Sequence, residues 1–185
     1  RRFFAYFFPA KKVGPAEGDL TLGQQKTKGI QEMSSGVPLP GKFTQLFSLD
    51  ISGFQELLLQ SEAEGFRFLR RLLQEWETEV NRFQLEGEGL FGWVVEQKLV
   101  ATLGINQVIH APQKARLRRM YLHPAYRRTG IGSQMVQEVA LRYQSQYELL
   151  ELFTDTSQGA AFYESLGFSP IFGVPSISHQ LSLHA

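Results

Sequence analysis

Arg127-Arg128-Thr129-Gly130-Ile131-Gly132 is the stretch that organises the rest of the chain. It follows a strand-like run, Leu117-Arg118-Arg119-Met120-Tyr121-Leu122, and precedes a helix-like run from Ser133 to Tyr143. Glycines two apart at a strand-to-helix turn let the backbone approach a bulky anion. The first amides of a helix have no intrahelical acceptor, and the helix dipole favours negative charge there. Arg127 and Arg128 add positive charge beside those donors, so residues 127–133 read as a cradle for a diphosphate. A nucleoside-triphosphate loop would need Lys after the second glycine, and Ser133 stands there. A dinucleotide loop would need a third glycine where Met135 stands.

Composition narrows the classes without choosing one. The 185 residues suit one domain, or a domain with an extension, at 43 % hydrophobic and 20 % charged content. A net charge of +1 gives no support to nucleic-acid binding. The chain has no cysteine, which removes disulfides, thiolate metal sites and cysteine nucleophiles. His110, His123, His179 and His184 show no metal-binding spacing, so no metal is expected.

Residues 1–42 differ from the remainder. They carry seven Lys/Arg against three Asp/Glu, leaving 12 against 15 for residues 43–185. Six Gly, four Pro and two Ser fall between Pro9 and Lys42, with little apolar periodicity. The aromatic run from Phe3 to Phe8 is too short to span a membrane. The expectation is a flexible leader or extension over 1–42, in which residues 1–32, before Met33, are a leader or misassigned upstream sequence, or else dock their phenylalanines on the domain, and a folded domain over 43–185.

Within that domain, Phe43 to Leu49 reads as a strand. Ser52 and Gln55 are spaced as a capping box for a helix ending near Gly65. Leu69, Leu72, Leu73, Trp76 and Val80 form the stripe of a second helix. Arg67, Arg70 and Arg71 lie mainly off it and read as a solvated face, with nucleic acid as the weaker alternative. Leu90–Val95 and Leu99–Ile105 flank Glu96-Gln97-Lys98 as a hairpin, followed by a loop containing Asn106 and Pro112. In the next strand, Ala115 and Leu117 are apolar at odd positions but Met120 and Leu122 at even ones. One extra residue, a β-bulge, produces such a slip. Leu149–Phe153 reads as a strand. Asp155, Thr156 and Ser157 offer an N-cap to a helix carrying Phe162, Tyr163 and Leu166, Gly167 ends that helix, and Ser176–His184 closes the sheet. The order β-α-α-β-β-β-α-β-α-β implies an α/β domain with a mixed sheet.

Arg127-x-x-Gly130-x-Gly132 matches the Gln/Arg-x-x-Gly-x-Gly/Ala coenzyme A loop of the GNAT superfamily of N-acetyltransferases. Its surroundings, RLRRMYLHPAYRRTGIGSQMV, resemble that family's strand, turn, loop and helix; LELFTDTSQGAAFYESLGF, residues 150–168, resembles its fifth strand and fourth helix. The likeness covers roughly Phe43 to the C-terminus. It implies a mixed, mostly antiparallel sheet flanked by helices with a bulged central strand, and acetyl-CoA as cosubstrate. It further implies that backbone groups around Met120, Tyr121 and Leu122 hold the pantetheine arm and polarise the carbonyl, while the loop of Arg127, Arg128, Thr129, Gly130, Ile131, Gly132 and Ser133 holds the pyrophosphate.

Tyr163 matches the family's general acid, with a packed aromatic as its plainer role. Glu151 stands where ribosomal-protein alanine acetyltransferases place their base, and a solvent-side strand glutamate is the equal alternative. Thr156 replaces the Asn with which many relatives contact the coenzyme. His123 reads as a turn residue, and Asn106 as lining the acceptor cleft or capping its loop. The acceptor is expected to be an amine, on a small molecule or a protein N-terminus, in the cytoplasm, with neither nucleic acid nor membrane as partner. A non-catalytic acyl-CoA-binding regulatory module is the alternative.

Overall fold

The computed structural model describes residues 39–184, so the expected leader lies outside the described residues except at 39–42. Along the chain run β1 (Lys42–Gln45), α1 (Phe54–Ala63), α2 (Phe68–Glu77), β2 (Gly89–Val95), β3 (Lys98–Val108) and β4 (Ala111–Leu122). A single 3-10 turn (Pro124–Tyr126) leads into α3 (Ile131–Tyr143), β5 (Leu149–Leu152), α4 (Ser157–Ser165), β6 (Ser169–Pro170) and β7 (His179–Ser182). The strands form one sheet in the order β1-β2-β3-β4-β5-β7-β6. Neighbours are antiparallel except β4 and β5, which the α3 crossover makes parallel. This is the expected mixed, mostly antiparallel sheet flanked by helices.

Alternation along the strands builds a core on each face of the sheet. One cluster joins α3 and α4 to the sheet through Met135, Val139, Phe162, Leu103, Leu117 and Leu150. The other joins α1 and α2 through Leu57, Leu58, Leu69, Leu72, Leu90 and Tyr121. Leu58, Leu69 and Leu72 are fully excluded from solvent. Truncating any of them to Ala should cost about 2–5 kcal/mol in lost transfer energy plus cavity.

The β2–β3 hairpin turns through Glu96 and Gln97, both with positive φ (48° and 66°), as a two-residue turn matching strand twist requires. Trp93 Nε1 donates to Pro40 O at 2.8 Å, so the chain is tied to the sheet before β1 starts. The helix of residues 157–165 ends as its sequence indicates. Gly167 has φ 91°, its amide donates to Glu164 O at 3.0 Å, and the Phe168 amide donates to Tyr163 O at 3.1 Å. Those paired bonds are a Schellman ending.

Several local expectations are corrected. No capping box forms at α1: the N-cap is Gly53, with no side-chain cap. The Ser52 carbonyl instead accepts from the Leu99 amide at 2.7 Å. A Cβ on Gly53 would lie 2.6 Å from Leu99 O, so this turn is built for close approach to β3 rather than for capping. The α2 stripe stops short of Val80, which lies beyond the helix and is exposed. Asn106 and Pro112 are not in a loop but within β3 and β4, which turn at Ile109-His110. Nearby, Gln107 pairs with Ala115 but Val108 with Ala111, so the register absorbs the irregularity around Pro112.

The bulge is where the parity slip puts it. Gly104 pairs with Arg118 but Thr102 with Tyr121, leaving one extra residue on β4. Arg119 has φ 57°, and its carbonyl accepts from Thr102 Oγ1 at 2.7 Å. Before the bulge, Ala115 and Leu117 join the α3/α4 cluster; after it, Met120 and Leu122 do, while Tyr121 joins the α1/α2 cluster.

Candidate active site

The parallel strands β4 and β5 pair only from Lys114–Leu149 to Arg116–Glu151. Beyond that point β4 continues to Leu122, whereas β5 ends at Leu152 and the chain leaves towards α4. The β5-facing edge of β4 is thus without a strand partner over residues 117–122, including the bulge. The two strands part there, at the carboxyl ends of a parallel pair, which is where open α/β sheets place ligands.

On the α3/α4 side, the loop after β4 leads to the start of α3. Gly130 is the N-cap, with φ 97° and no side-chain cap. The first amide of the turn with a backbone acceptor is that of Gln134, which donates to Gly130 O at 3.0 Å. Ile131, Gly132 and Ser133 therefore present amides to whatever lies before the helix, the arrangement that binds anions. Arg128 is exposed, with φ 63°, and Thr129 Oγ1 donates to Tyr126 O at 2.6 Å, fixing the loop.

Arg127, at the root of the loop, engages the other side of the sheet. Its guanidinium turns towards the α1/α2 side, donating to Glu64 Oε1 at 2.9 Å and Oε2 at 2.5 Å, and its Nε donates to Leu122 O at 3.1 Å. Tyr121 Oη donates to the same Glu64 carboxylate at 2.7 Å, and the Arg127 guanidinium lies 5.6 Å from the Tyr121 ring centre. Burial, then the bond to Glu64, raises the Tyr121 phenol above its ordinary range. Glu64 thus fastens the end of α1 to β4 and to the root of the loop. Among the expected coenzyme residues, Tyr121 and Arg127 direct their side chains to this clamp.

Tyr163 lies in α4, nearly excluded from solvent, between the rings of Phe162 (5.0 Å) and Phe168 (5.4 Å). It shares one cluster with Met120, Leu122 and Ile131, so the fold brings those four residues to the same side. Burial raises its phenol far above the ordinary range and keeps it protonated at neutral pH. Thr156 is the N-cap of α4 and accepts from the Gly159 amide at 3.0 Å. Thr154, just past β5, is buried and its Oγ1 has no hydrogen-bond partner among the described residues; nothing in the sequence distinguished it.

The opposite side of the sheet is charged. Leu150 and Leu152 point to the α3/α4 cluster, so Glu151 between them faces the α2 side. Its Oε1 accepts from Arg116 Nε at 2.8 Å and from Arg116 Nη2, while Oε2 has no protein partner among the described residues. Arg119 Nη2 donates to Glu75 Oε2 of α2 at 2.6 Å. A cavity of about 650 Å³ opens on this side, walled by Asn81, Phe83, Glu88, Asn106, Arg116 and Arg118. Asn81 and Asn106 exchange side-chain bonds at 3.1 Å each, fixing its floor. Tyr163 and Glu151 thus stand on opposite sides of the sheet. Sequence reading had missed Glu64, Arg116 and Arg118. The adjacent polar pair Arg118-Arg119, at the parity slip, was the available signal for the last.

No helix among the described residues is long and apolar enough to cross a membrane. A family model described as an acetyltransferase (GNAT) domain matches residues 88–170, which span β2 through β6. None of the curated proteins compared matches the chain. Among solved structures, a proposed acetyltransferase from Exiguobacterium sp. 255-15 is 26 % identical, covers 76 % of this chain and 92 % of its own, and superposes with a TM-score of 0.69. A GNAT family N-acetyltransferase from Escherichia coli, solved with CoA, is 15 % identical over 81 % of this chain and 85 % of its own, with a TM-score of 0.58. The ribosomal-protein-S18-alanine N-acetyltransferase from Escherichia coli is 17 % identical over 78 % and 95 %, with a TM-score of 0.55. The last two show likeness of fold.

Proposed function

We propose that this chain, which belongs to the GNAT superfamily, is an acetyl-CoA-dependent N-acetyltransferase that passes the acetyl group directly to an amine within a ternary complex. The observation that carries this reading is the pairing of the open amides of residues 131–133 with the bulged, unpaired edge of β4 where it parts from β5. Such an edge can hold a diphosphate at one end and a thioester at the other. Residues 128–133 take the pyrophosphate, with Arg128 adding charge. Met120 and Leu122 flank the acyl-bearing arm, and Tyr121 and Arg127 contribute backbone and shape the loop through Glu64. Thr156 lines the α4 end.

A thioester is already activated, so the protein has to align the amine, polarise the carbonyl and move two protons. The acceptor arrives as an ammonium and must lose a proton. Glu151 Oε2 is the open carboxylate oxygen on the α2 side and is assigned as base, directly or through a water. Its Oε1 is held by Arg116. Backbone amides freed by the bulge receive the negative charge that grows on the carbonyl oxygen. Tyr163, protonated because it is buried, gives its proton to the departing thiolate. A cytoplasmic location belongs to the same reading. The alternative, a regulatory module that binds acyl-CoA without turnover, keeps the cradle but gives no weight to Glu151 and Tyr163.

The test is an amine panel incubated with acetyl-CoA while free thiol is followed. Amine-dependent thiol release is expected; coenzyme binding with none across small amines and peptide N-termini would favour the regulatory module.

A further inference from the structure

The strand β4 delivers three guanidiniums to one face of the sheet. Before the bulge, Arg116 and Arg118 point away from the α3/α4 cluster because Leu117 points into it. The extra residue then puts Arg119 on the same side, where it meets Glu75 of α2. Arg116 is answered by Glu151 and Arg119 by Glu75. Arg118 has no hydrogen bond or ion pair among the described residues, and it lines the cavity of about 650 Å³. Carboxylates are present in that cavity too. Glu79 is taken by Arg82 at 3.1 Å, and Glu88 stands too far from Arg118 for an ion pair. Arg118 is exposed towards the cavity; desolvation, then the neighbouring Arg116 and Arg119, lower its pKa from the ordinary value, against weaker support from Glu75 and Glu88. An incoming anion would relieve that repulsion.

We infer that Arg118 is the anchor for a carboxylate on the acceptor, so that the substrate is a small carboxylate-bearing amine such as an amino acid. Three observations set the class. The cavity lies within the range that encloses small ligands. Arg116 lines the same cavity and holds Glu151, the assigned base, so the carboxylate anchor and the group that deprotonates the amine serve one compact molecule. The rim carries exposed Val80, Leu85 and Ile109, which suit an apolar side chain. A guanidinium binds a carboxylate through two parallel bonds, giving direction as well as attraction.

This inference rests on the acetyltransferase reading, and the experiment separates the two. Coenzyme A affinity is measured first by calorimetry, and its absence would defeat the parent reading alone. Leucine, phenylalanine, their amides and a neutral hexapeptide with a free N-terminus are then compared as acceptors by KM, and the acids are titrated calorimetrically without coenzyme. The acids should have KM values at least about tenfold below the amides. Arg118→Gln should raise the KM of the acids about 10- to 100-fold, the scale of a lost charged hydrogen bond. It should weaken their direct binding in parallel, with Arg118→Lys restoring part of both and coenzyme affinity unmoved. Equal KM values for acid and amide, a KM for the acids unmoved by Arg118→Gln, or a hexapeptide preferred to every acid would overturn the inference. Because direct binding of the acids needs neither coenzyme nor turnover, it still decides the question if the parent reading fails.

Discussion

Replacing Gly130 with Val separates the anion-cradle assignment from plain backbone strain. Gly130 holds φ 97° as the N-cap of α3, a conformation L-residues avoid. Among the described residues a Cβ there would meet Leu39 alone, at 3.7 Å, which is ordinary contact. The cost to the free protein is therefore conformational, about 1–3 kcal/mol, and the domain should still fold. The cost to binding is different in kind. A branched side chain beside the amides of Ile131, Gly132 and Ser133 takes the volume a phosphate needs. Each charged hydrogen bond lost is worth about 1.5–3 kcal/mol, so losing one or two weakens coenzyme A by roughly 10- to 10⁴-fold. Gly167→Val is the control. It has φ 91°, its Cβ would lie 3.5 Å from Leu181, and it ends α4 away from the cradle. Both variants should lose similar melting temperature, but only Gly130→Val should lose calorimetric affinity for coenzyme A. A folded Gly130→Val protein binding coenzyme A as tightly as the parent, or equal losses in both variants, would refute the assignment.

Tyr163→Phe should lower single-turnover acetyl transfer by about 10²-fold or more with coenzyme affinity nearly unchanged, as expected when a positioned acid is removed. Glu151→Gln should lower kcat/KM at neutral pH, and the deficit should shrink as pH rises and the acceptor amine loses its proton unaided; a loss constant across pH would assign Glu151 to architecture. Glu64→Ala leaves the Arg127 guanidinium and Tyr121 hydroxyl without their shared partner, and urea denaturation should register about 2–4 kcal/mol of destabilisation. Alkaline stability should fall as well. Burial raises Tyr163 strongly, Tyr143 to a lesser degree and Tyr147 to about 12. A phenol whose folded pKa is raised contributes stability that is intact below its unfolded value near 10 and is lost as pH climbs towards the folded one. For Tyr163 the slope is about 1.4 kcal/mol per pH unit above pH 10, measurable by denaturant titration; a flat profile from pH 9 to 12 would contradict it.

Much of this site could be read from the sequence because its parts are local. The cradle is a run of glycines and a helix start; the bulge is a parity slip between Leu117 and Met120; the end of α4 is Gly167. What escaped was set by contacts across long separations. Glu64 meets Arg127 63 residues on, so nothing near Arg127 says that its charge is already engaged. Glu151 and Arg116 become partners only when β4 and β5 align. Ser52 carried the letters of a capping box, but β3 claimed its carbonyl. Arg118 and Arg119 look alike in the sequence, and only the position of α2 decides which one is neutralised.

Because β4 carries one residue more than β3 opposite it, the bulge already absorbs the parity slip, and deleting that residue would regularise the strand rather than turn it over. Without Arg119, Leu117, Met120 and Leu122 would alternate in step towards α3 and α4, with Tyr121 still facing α1 and α2. Gly104, Leu103 and Thr102 would then meet Arg118, Met120 and Tyr121 one for one. The losses would be local: the bond from Thr102 Oγ1, the pair with Glu75 and the break in the ladder. Packing alone would be served by the shorter strand, so the spare residue, held at φ 57°, is a cost the core does not require. It belongs to the edge that the ligand is proposed to meet.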